Sequence, residues 1–263
     1  MTLKPFVNWA GGKSQMTKYL LPLVPEEYDT YYEPFAGGGA LFLALQPKKA
    51  VINDICRPLI NCYEQIKNSP DKLCDEITHY EREYPDTQEQ YNFLRTCFNN
   101  SVECGEFDES LAGLMLVLNR RCFNGLYRTN SRGEFNTSWG RVSRIASKVN
   151  LANIMALSKY FNEADIRFTC KDYKEICWDI GKDDFVFFDS PYIPMSETAD
   201  FVRYTDQGFG MDEHKKLALI YRYVSETGAK AILTNNETDL TKELYGGLSH
   251  DPDYNLALHK QQG

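Results

Sequence analysis

The 263-residue sequence predicts an α/β fold, a doubly wound parallel sheet interrupted by an inserted helical domain. Three observations lead there. Short apolar segments rich in aromatic and β-branched residues recur, as strands covered on both faces require. Helical patterns lie between them, the alternation of a doubly wound sheet. The middle of the chain, 57–160, is instead polar and mainly helical, with few strand signals.

Taken in order, the strand signals are Thr30–Phe35, Ala50–Asn53, Ile166–Thr169, Phe185–Phe188 and Lys230–Thr234. Ala40–Leu45 and Asp212–Glu226 read as helices between them. Within the insertion, helices are expected at Pro58–Lys67, Thr87–Phe98, Glu109–Leu118 and Ser143–Tyr160. Residues 1–56 and 161–263 therefore form one domain and 57–160 a second. The final stretch, Gly246–Gly263, reads as lacking a β pattern. An exposed sheet edge along Lys230–Thr234 and an unordered chain end are the expectations.

Bulk properties narrow the function classes. Hydrophobic residues make up 43% of the chain, enough for a sizeable core. No apolar run reaches the ~18 residues of a membrane span, and no charged-then-apolar leader opens the sequence. The eight cysteines are scattered without a CxxC pair, which speaks against zinc and for a reducing, cytoplasmic setting. Net charge is −8, which by itself disfavours a nucleic-acid partner. Locally the balance reverses. Between Asn119 and Lys148 stand Arg120, Arg121, Arg128, Arg132, Arg141, Arg144 and Lys148 against Glu134 alone.

Several motifs carry chemistry. The strand Phe185–Phe188 runs into Asp189-Ser190-Pro191-Tyr192. In open α/β sheets ligands bind at the C-terminal ends of strands. A carboxylate there accepts hydrogen bonds from an amine, and a ring stacks on a flat base, which suggests chemistry on the exocyclic amine of a nucleobase. Upstream, Glu33-Pro34-Phe35-Ala36-Gly37-Gly38-Gly39 joins a strand to a helix, and Asp54 closes the next strand. Glycines let the backbone approach a ligand, and such an acid binds the hydroxyls of a ribose. Neither GxGxxG nor a P-loop fits. The pattern suits S-adenosylmethionine, which has a ribose and adenine but no phosphates. Trp9-Ala10-Gly11-Gly12-Lys13 could present N–H groups and a cation to a carboxylate, and Asp172-Tyr173 an acid and a ring to an adenine. Each of these alone also reads as an ordinary turn, cap or helix entry.

Together, WAGGK, EPFAGGG, NDI, the helical insertion and DSPY stand in the order of the Dam-type DNA adenine-N6 methyltransferases, the α group of amino-methyltransferases, and the chain resembles that family from Pro5 to Tyr245. Asn119–Arg128 and Gly133–Asn136 resemble its NR–FNGLYR–GEFN block. The resemblance implies a Rossmann-like methyltransferase sheet with an inserted helical DNA-recognition domain. It implies S-adenosylmethionine as methyl donor, double-stranded DNA as partner, GATC as the common target, and neither a membrane, a metal nor a protein partner. Trp9, Ala10, Gly11, Lys13, Glu33, Phe35, Gly37, Asp54, Asp172, Tyr173 and Asp189 are the implied cofactor residues. Asp189, Ser190, Pro191 and Tyr192 are the implied catalytic residues, holding a flipped adenine. Asn124, Leu126, Arg128, Asn136 and Arg141 are the implied DNA contacts, with Arg128 suited to reading a guanine.

Four departures stand out. Ser190 replaces the family's second-position Pro, Asn8 stands where some relatives have a DNA-touching Lys, Thr137-Ser138-Trp139-Gly140 replaces a block ending Pro-aromatic-Gly, and the chain end does not align. Ser190 keeps a carbonyl acceptor but loses the ring that fixes φ, so reduced turnover is the expectation. Cytosine N4 or a glutamine amide is the rival substrate; Asp189, where a cytosine enzyme would carry Ser, and the basic block favour adenine in DNA. A catalytically impaired or inactive DNA- or cofactor-binding derivative is the reading from another class.

Overall fold

The computed structural model describes residues 2–12, 16–140, 148–193 and 209–245, together with the backbone of 254–259. In chain order the elements are α1 (Thr17–Leu20), β1 (Tyr31–Glu33), α2 (Ala40–Leu45), β2 (Lys49–Asn53), α3 (Arg57–Asn68), α4 (Pro70–Glu83), α5 (Gln88–Cys104), α6 (Glu109–Arg121), α7 (Leu151–Glu163), β3 (Asp165–Thr169), α8 (Tyr173–Cys177), β4 (Phe185–Phe188), α9 (Met211–Thr227), β5 (Lys230–Asn236), α10 (Asp239–Tyr245) and β6 (Tyr254–His259). They fall into two compact units. One comprises Met1–Ser14, Gly37–Gln46 and Cys56–Cys170, the other Gln15–Ala36, Pro47–Ile55 and Lys171–Gly263.

The second unit is built on five parallel strands in the order β2-β1-β4-β5-β6. Every residue of β4 is buried, which explains why its sequence is FVFF without alternation. Val186 and Phe188 pack with Leu217, Tyr221 and Val224 of α9 and with Ile176 and Cys177 of α8. Burying one such side chain is worth about 1.5–3 kcal/mol. Strand β1 is shorter than the expected Thr30–Phe35. Pro34 follows it and brings no N–H to extend the ladder.

The chain end corrects an expectation. Tyr254–His259 forms β6 and pairs with β5 from Ala231↔Tyr254 to Asn236↔His259, so Lys230–Thr234 is not a sheet edge and the chain end holds a strand. The sequence carried the signal in Tyr254, Leu256 and Leu258, which alternate with Asn255, Ala257 and His259.

Apart from β3, the regular structure of the first unit is helical. Residues Leu111–Asn119 of α6 are buried on every side, and α3, α4 and α5 pack around them. Side chains cap the helices as their sequences suggest. Thr87 accepts from the Gln90 N–H at 3.3 Å, and Asp108 from the Leu111 N–H at 2.9 Å. The helix expected over Ser143–Tyr160 begins later, at Leu151, because Asn150 caps it by accepting from the Asn153 N–H at 3.1 Å. Residues 141–147 lie outside the described ones. The polar helix α4, with Pro70 in its first turn, was not among those expected.

Candidate functional site

In the second unit, parallel pairing brings three acids to one end of the sheet. Glu33 closes β1, Asp54 follows β2 and Asp189 follows β4. Glu33 is buried, 2% exposed, and accepts a hydrogen bond from the Tyr31 hydroxyl at 2.7 Å. Burial first, and then the Glu33 charge, push that phenol well above its ordinary value, so it remains a donor.

The turns beside these acids are tied together by Asn53, a residue sequence reasoning passed over. Its amide donates to the carbonyls of Pro34 and Lys171, both at 3.0 Å. Its side-chain oxygen accepts from the Lys171 N–H at 3.0 Å, and its backbone carbonyl from the Ala36 N–H at 2.8 Å. Asn53 is fully buried, so its polar groups depend on these partners rather than on solvent. The two turns carry Phe35 and Tyr173, whose ring centroids lie 4.9 Å apart at 34°. Phe209 joins them at 5.8 Å from Phe35. Asp172 serves as N-cap of α8, accepting from the Lys174 N–H at 2.9 Å and pairing with its Nζ at 3.1 Å. That bond to Asp172, the largest influence on Lys174, raises its pKa.

At the tetrapeptide, Asp189 Oδ1 accepts from the Thr234 hydroxyl at 2.7 Å. Ser190 is buried and its Oγ has no hydrogen-bond partner among the described residues. Pro191 is exposed and Tyr192 half-buried. The next residue is anchored on both sides: the Ile193 N–H donates to Asn235 Oδ1 at 3.0 Å, and the Ile193 carbonyl accepts from the Asn236 amide at 2.8 Å.

The first unit holds the remaining candidates. Trp9 stacks on Tyr127 at 5.4 Å and 13°, and Tyr127 on Phe135 at 5.2 Å and 12°. Gly37, at φ +50°, lies under the indole: a Cβ there would stand 2.7 Å from Trp9 Cδ1. Only glycine fits such an approach. Ala10 and Gly11 are exposed. Lys13 and Arg141 lie outside the described residues. The loop around Trp9 is latched to the end of α6 by Asn119, which belongs to the NR motif but is not among the implied site residues.

Within the basic block, Asn124 is exposed with a left-handed backbone, φ 54°, and Leu126 is half-buried. Arg128 is exposed, its Nε donating to Asn136 Oδ1 at 3.0 Å, while the Asn136 N–H donates to the Arg128 carbonyl at 2.9 Å. Arg128 and Asn136 are thus brought together. Phe123 was not among the expected contacts, yet its ring is 52% exposed beside Asn124. An aromatic inside a basic run was the available signal.

The block's charge is not all available at the surface. Arg121 is 5% exposed and lies 4.0 Å from Asp86, which also accepts from the Trp139 indole N–H at 2.9 Å. Arg120 donates to the Phe6 carbonyl at 3.2 Å. Within the block, Arg128, Arg132 and Lys148 are the exposed cations among the described residues. The altered Thr137–Gly140 segment is likewise structural. The Thr137 carbonyl accepts from the Tyr91 hydroxyl and from Arg95, both at 2.9 Å, and the Gly140 N–H donates to the Arg121 carbonyl at 2.9 Å.

A parallel α/β sheet with acids at its strand ends, in a chain that also carries a helical unit with an exposed basic-aromatic block, has the form of a nucleic-acid-modifying α/β enzyme. Residues 9–256 match the D12 class N6 adenine-specific DNA methyltransferases, and the chain belongs to that family. It is therefore an adenine-specific DNA methyltransferase. Among curated relatives, it is 39% identical over 250 residues to the Type II methyltransferase M1.LlaDCHI of Lactococcus lactis subsp. cremoris, covering 93% of this chain and 85% of the relative. The Type II methyltransferase M.MjaIII of Methanocaldococcus jannaschii is 36% identical over 267 residues, covering 95% and 90%. The DNA adenine methylase of Serratia marcescens is 31% identical over 254 residues, covering 92% and 87%.

Proposed function

We propose that this enzyme transfers a methyl group from S-adenosylmethionine to N6 of an adenine swung out of duplex DNA, with GATC as the target sequence. The observation that carries the reading is the row of acids ending β2, β1 and β4, with Asp189 held by Thr234.

The donor set in the second unit suits the cofactor. Asp54 can accept from the two hydroxyls of a ribose, while Phe35 and Tyr173 offer flat faces and Asp172 an acceptor for an adenine. Glu33 belongs to the same set, and the family pattern adds Trp9, Ala10, Gly11, Lys13 and Gly37. When bound, S-adenosylmethionine supplies an activated methyl group, its S–CH3 bond breaking as the N6–CH3 bond forms.

The protein's share is positioning and electrostatics. The adenine N6 lone pair is delocalised into the ring and is weakly nucleophilic. The Asp189 carboxylate and the carbonyl of Ser190 or Pro191 each accept one of its hydrogens, which draws the lone pair back onto nitrogen. The nitrogen sheds one proton as it gains the methyl group, and the Asp189 carboxylate is the acceptor at hand. Tyr192 stacks on the extruded base, an interaction worth roughly 1–3 kcal/mol. Segment 57–160 recognises the target, through Asn124, Leu126, Arg128, Asn136 and Arg141, with the Phe123 ring available for stacking. A cytoplasmic setting follows from the cysteine usage.

The test uses a panel of unmethylated duplexes that differ at one tetranucleotide, incubated with methyl-labelled cofactor and digested to nucleosides. Label in N6-methyladenine from the GATC duplex alone is the expected result. Label from another tetranucleotide overturns GATC, and label in N4-methylcytosine overturns the target base.

A further inference from the structure

Backbone pairing between β4 and β5 stops at Phe188↔Leu233, but β5 continues for three residues, Thr234, Asn235 and Asn236. On its other side those three remain paired with β6, opposite Ala257, Leu258 and His259. Facing the tetrapeptide, their side chains replace the missing ladder. Thr234 donates to Asp189 Oδ1 at 2.7 Å, Asn235 accepts from the Ile193 N–H at 3.0 Å, and Asn236 donates to the Ile193 carbonyl at 2.8 Å. Asn235 Oδ1 also accepts from the Asn236 N–H at 2.9 Å, which fixes its rotamer. Thr234 and Asn235 are fully buried and Asn236 is 7% exposed, so solvent does not compete for these bonds. Both ends of the stretch Asp189–Ile193 are therefore pinned from outside it, while Ser190 between them is buried with a hydroxyl that has no hydrogen-bond partner among the described residues.

We propose that Thr234, Asn235 and Asn236 are positioning residues for methyl transfer: they hold the Asp189 carboxylate and the following turn in the geometry that a proline at position 190 would otherwise help impose. The inference rests on the assignment of Asp189 as an acceptor for the target amine. A proline limits φ within the turn. The clamp limits the same turn through hydrogen bonds at its two ends. β6 belongs to the device, because it keeps the overhanging part of β5 extended.

Two substitutions isolate the clamp. Thr234→Val keeps the shape and removes the donor, and Thr234→Ser keeps the donor. The expected outcome is a fall in kcat of about tenfold for Thr234→Val, the rate equivalent of one bond to a charged group, with little change in KM for cofactor or DNA. Loss of the hydroxyl also destabilises the carboxylate, so the acidic limb of the kcat–pH profile moves to higher pH. Thr234→Ser restores both. Asn235→Ala lowers kcat as well, and adding Ser190→Pro to that variant recovers activity, because ring and clamp constrain one turn. Thr234→Val with wild-type kcat and pH profile overturns the inference, as does failure of Ser190→Pro to raise the rate of Asn235→Ala. Asp189→Ala run in parallel separates the readings. If it keeps activity, the role of Asp189 falls; if it is inactive while Thr234→Val is fully active, only the clamp falls.

Discussion

Asn119 and Asn8 exchange a reciprocal pair of hydrogen bonds: the Asn119 side-chain oxygen accepts from the Asn8 N–H at 2.8 Å, and its amide donates to the Asn8 carbonyl at 2.9 Å. The same amide donates to the Gly125 carbonyl at 3.0 Å. One buried side chain thereby holds the loop before Trp9 against the segment that leads to Arg128. Asn119→Ala strands three polar groups, and stranding even one costs roughly 1–3 kcal/mol. The expected loss is about 3 kcal/mol in urea unfolding, with weakened cofactor binding. A loss below about 0.5 kcal/mol, the range of ordinary surface substitutions, would contradict the latch.

The pairing of Arg128 with Asn136 makes a second prediction. Asn136 fixes one guanidinium nitrogen, which orients the rest of the fork. Arg128→Ala should reduce discrimination against a substituted guanine by about 10- to 100-fold, whereas Arg132→Ala should weaken binding to all duplexes alike and lower the salt dependence. Competition between matched and mismatched duplexes measures both. Equal losses on every sequence in Arg128→Ala would remove the base-reading role.

Arg121 lies within the same basic run yet behaves as a core residue. It faces Asp86 at 4.0 Å with little exposure, and burial, its largest influence, lowers its pKa. Truncation leaves the Asp86 charge uncompensated. Arg121→Ala should cost about 3 kcal/mol of stability and leave the salt dependence of DNA binding unchanged. A reduced salt slope with intact stability would return Arg121 to the DNA surface.

His214 gives the fold a pH dependence. It is 1% exposed beside the Phe209 ring, and burial lowers its pKa from 6.5 to about 4. The unfolded chain therefore binds this proton below about pH 6.5, while the folded chain resists it until about pH 4. The stabilisation is complete above 6.5 and is lost as pH falls towards 4, at most about 3 kcal/mol. Tm measured from pH 7 to 4.5 should fall less steeply in His214→Gln than in wild type. Parallel curves would contradict a neutral buried imidazole.

These residues also show how far the sequence was readable. Strands β2, β4 and β5 were visible because burial on both faces leaves uninterrupted apolar runs, and the glycine and acid motifs mark the strand ends whatever packs on them. Asn53, Asn119 and Thr234 were not visible as site residues. Their importance lies in hydrogen bonds to backbone far away in sequence, and an Asn or Thr at a strand or helix end looks the same with or without them. The basic run misled in proportion, because counting Arg residues cannot separate Arg121, matched to Asp86, from exposed Arg128. Strand β6 was missed although its alternation was present, because its six residues are short and weakly apolar.

Asp189, at the end of β4, has the proposed role of accepting from the target amine during transfer. Formation of N6-methyladenine by Asp189→Ala, followed in single turnover with saturating cofactor and DNA, tests it most directly. A rate at least about 100-fold below wild type, with native circular dichroism and retained DNA binding, is the predicted result. A rate within about tenfold of wild type would contradict it.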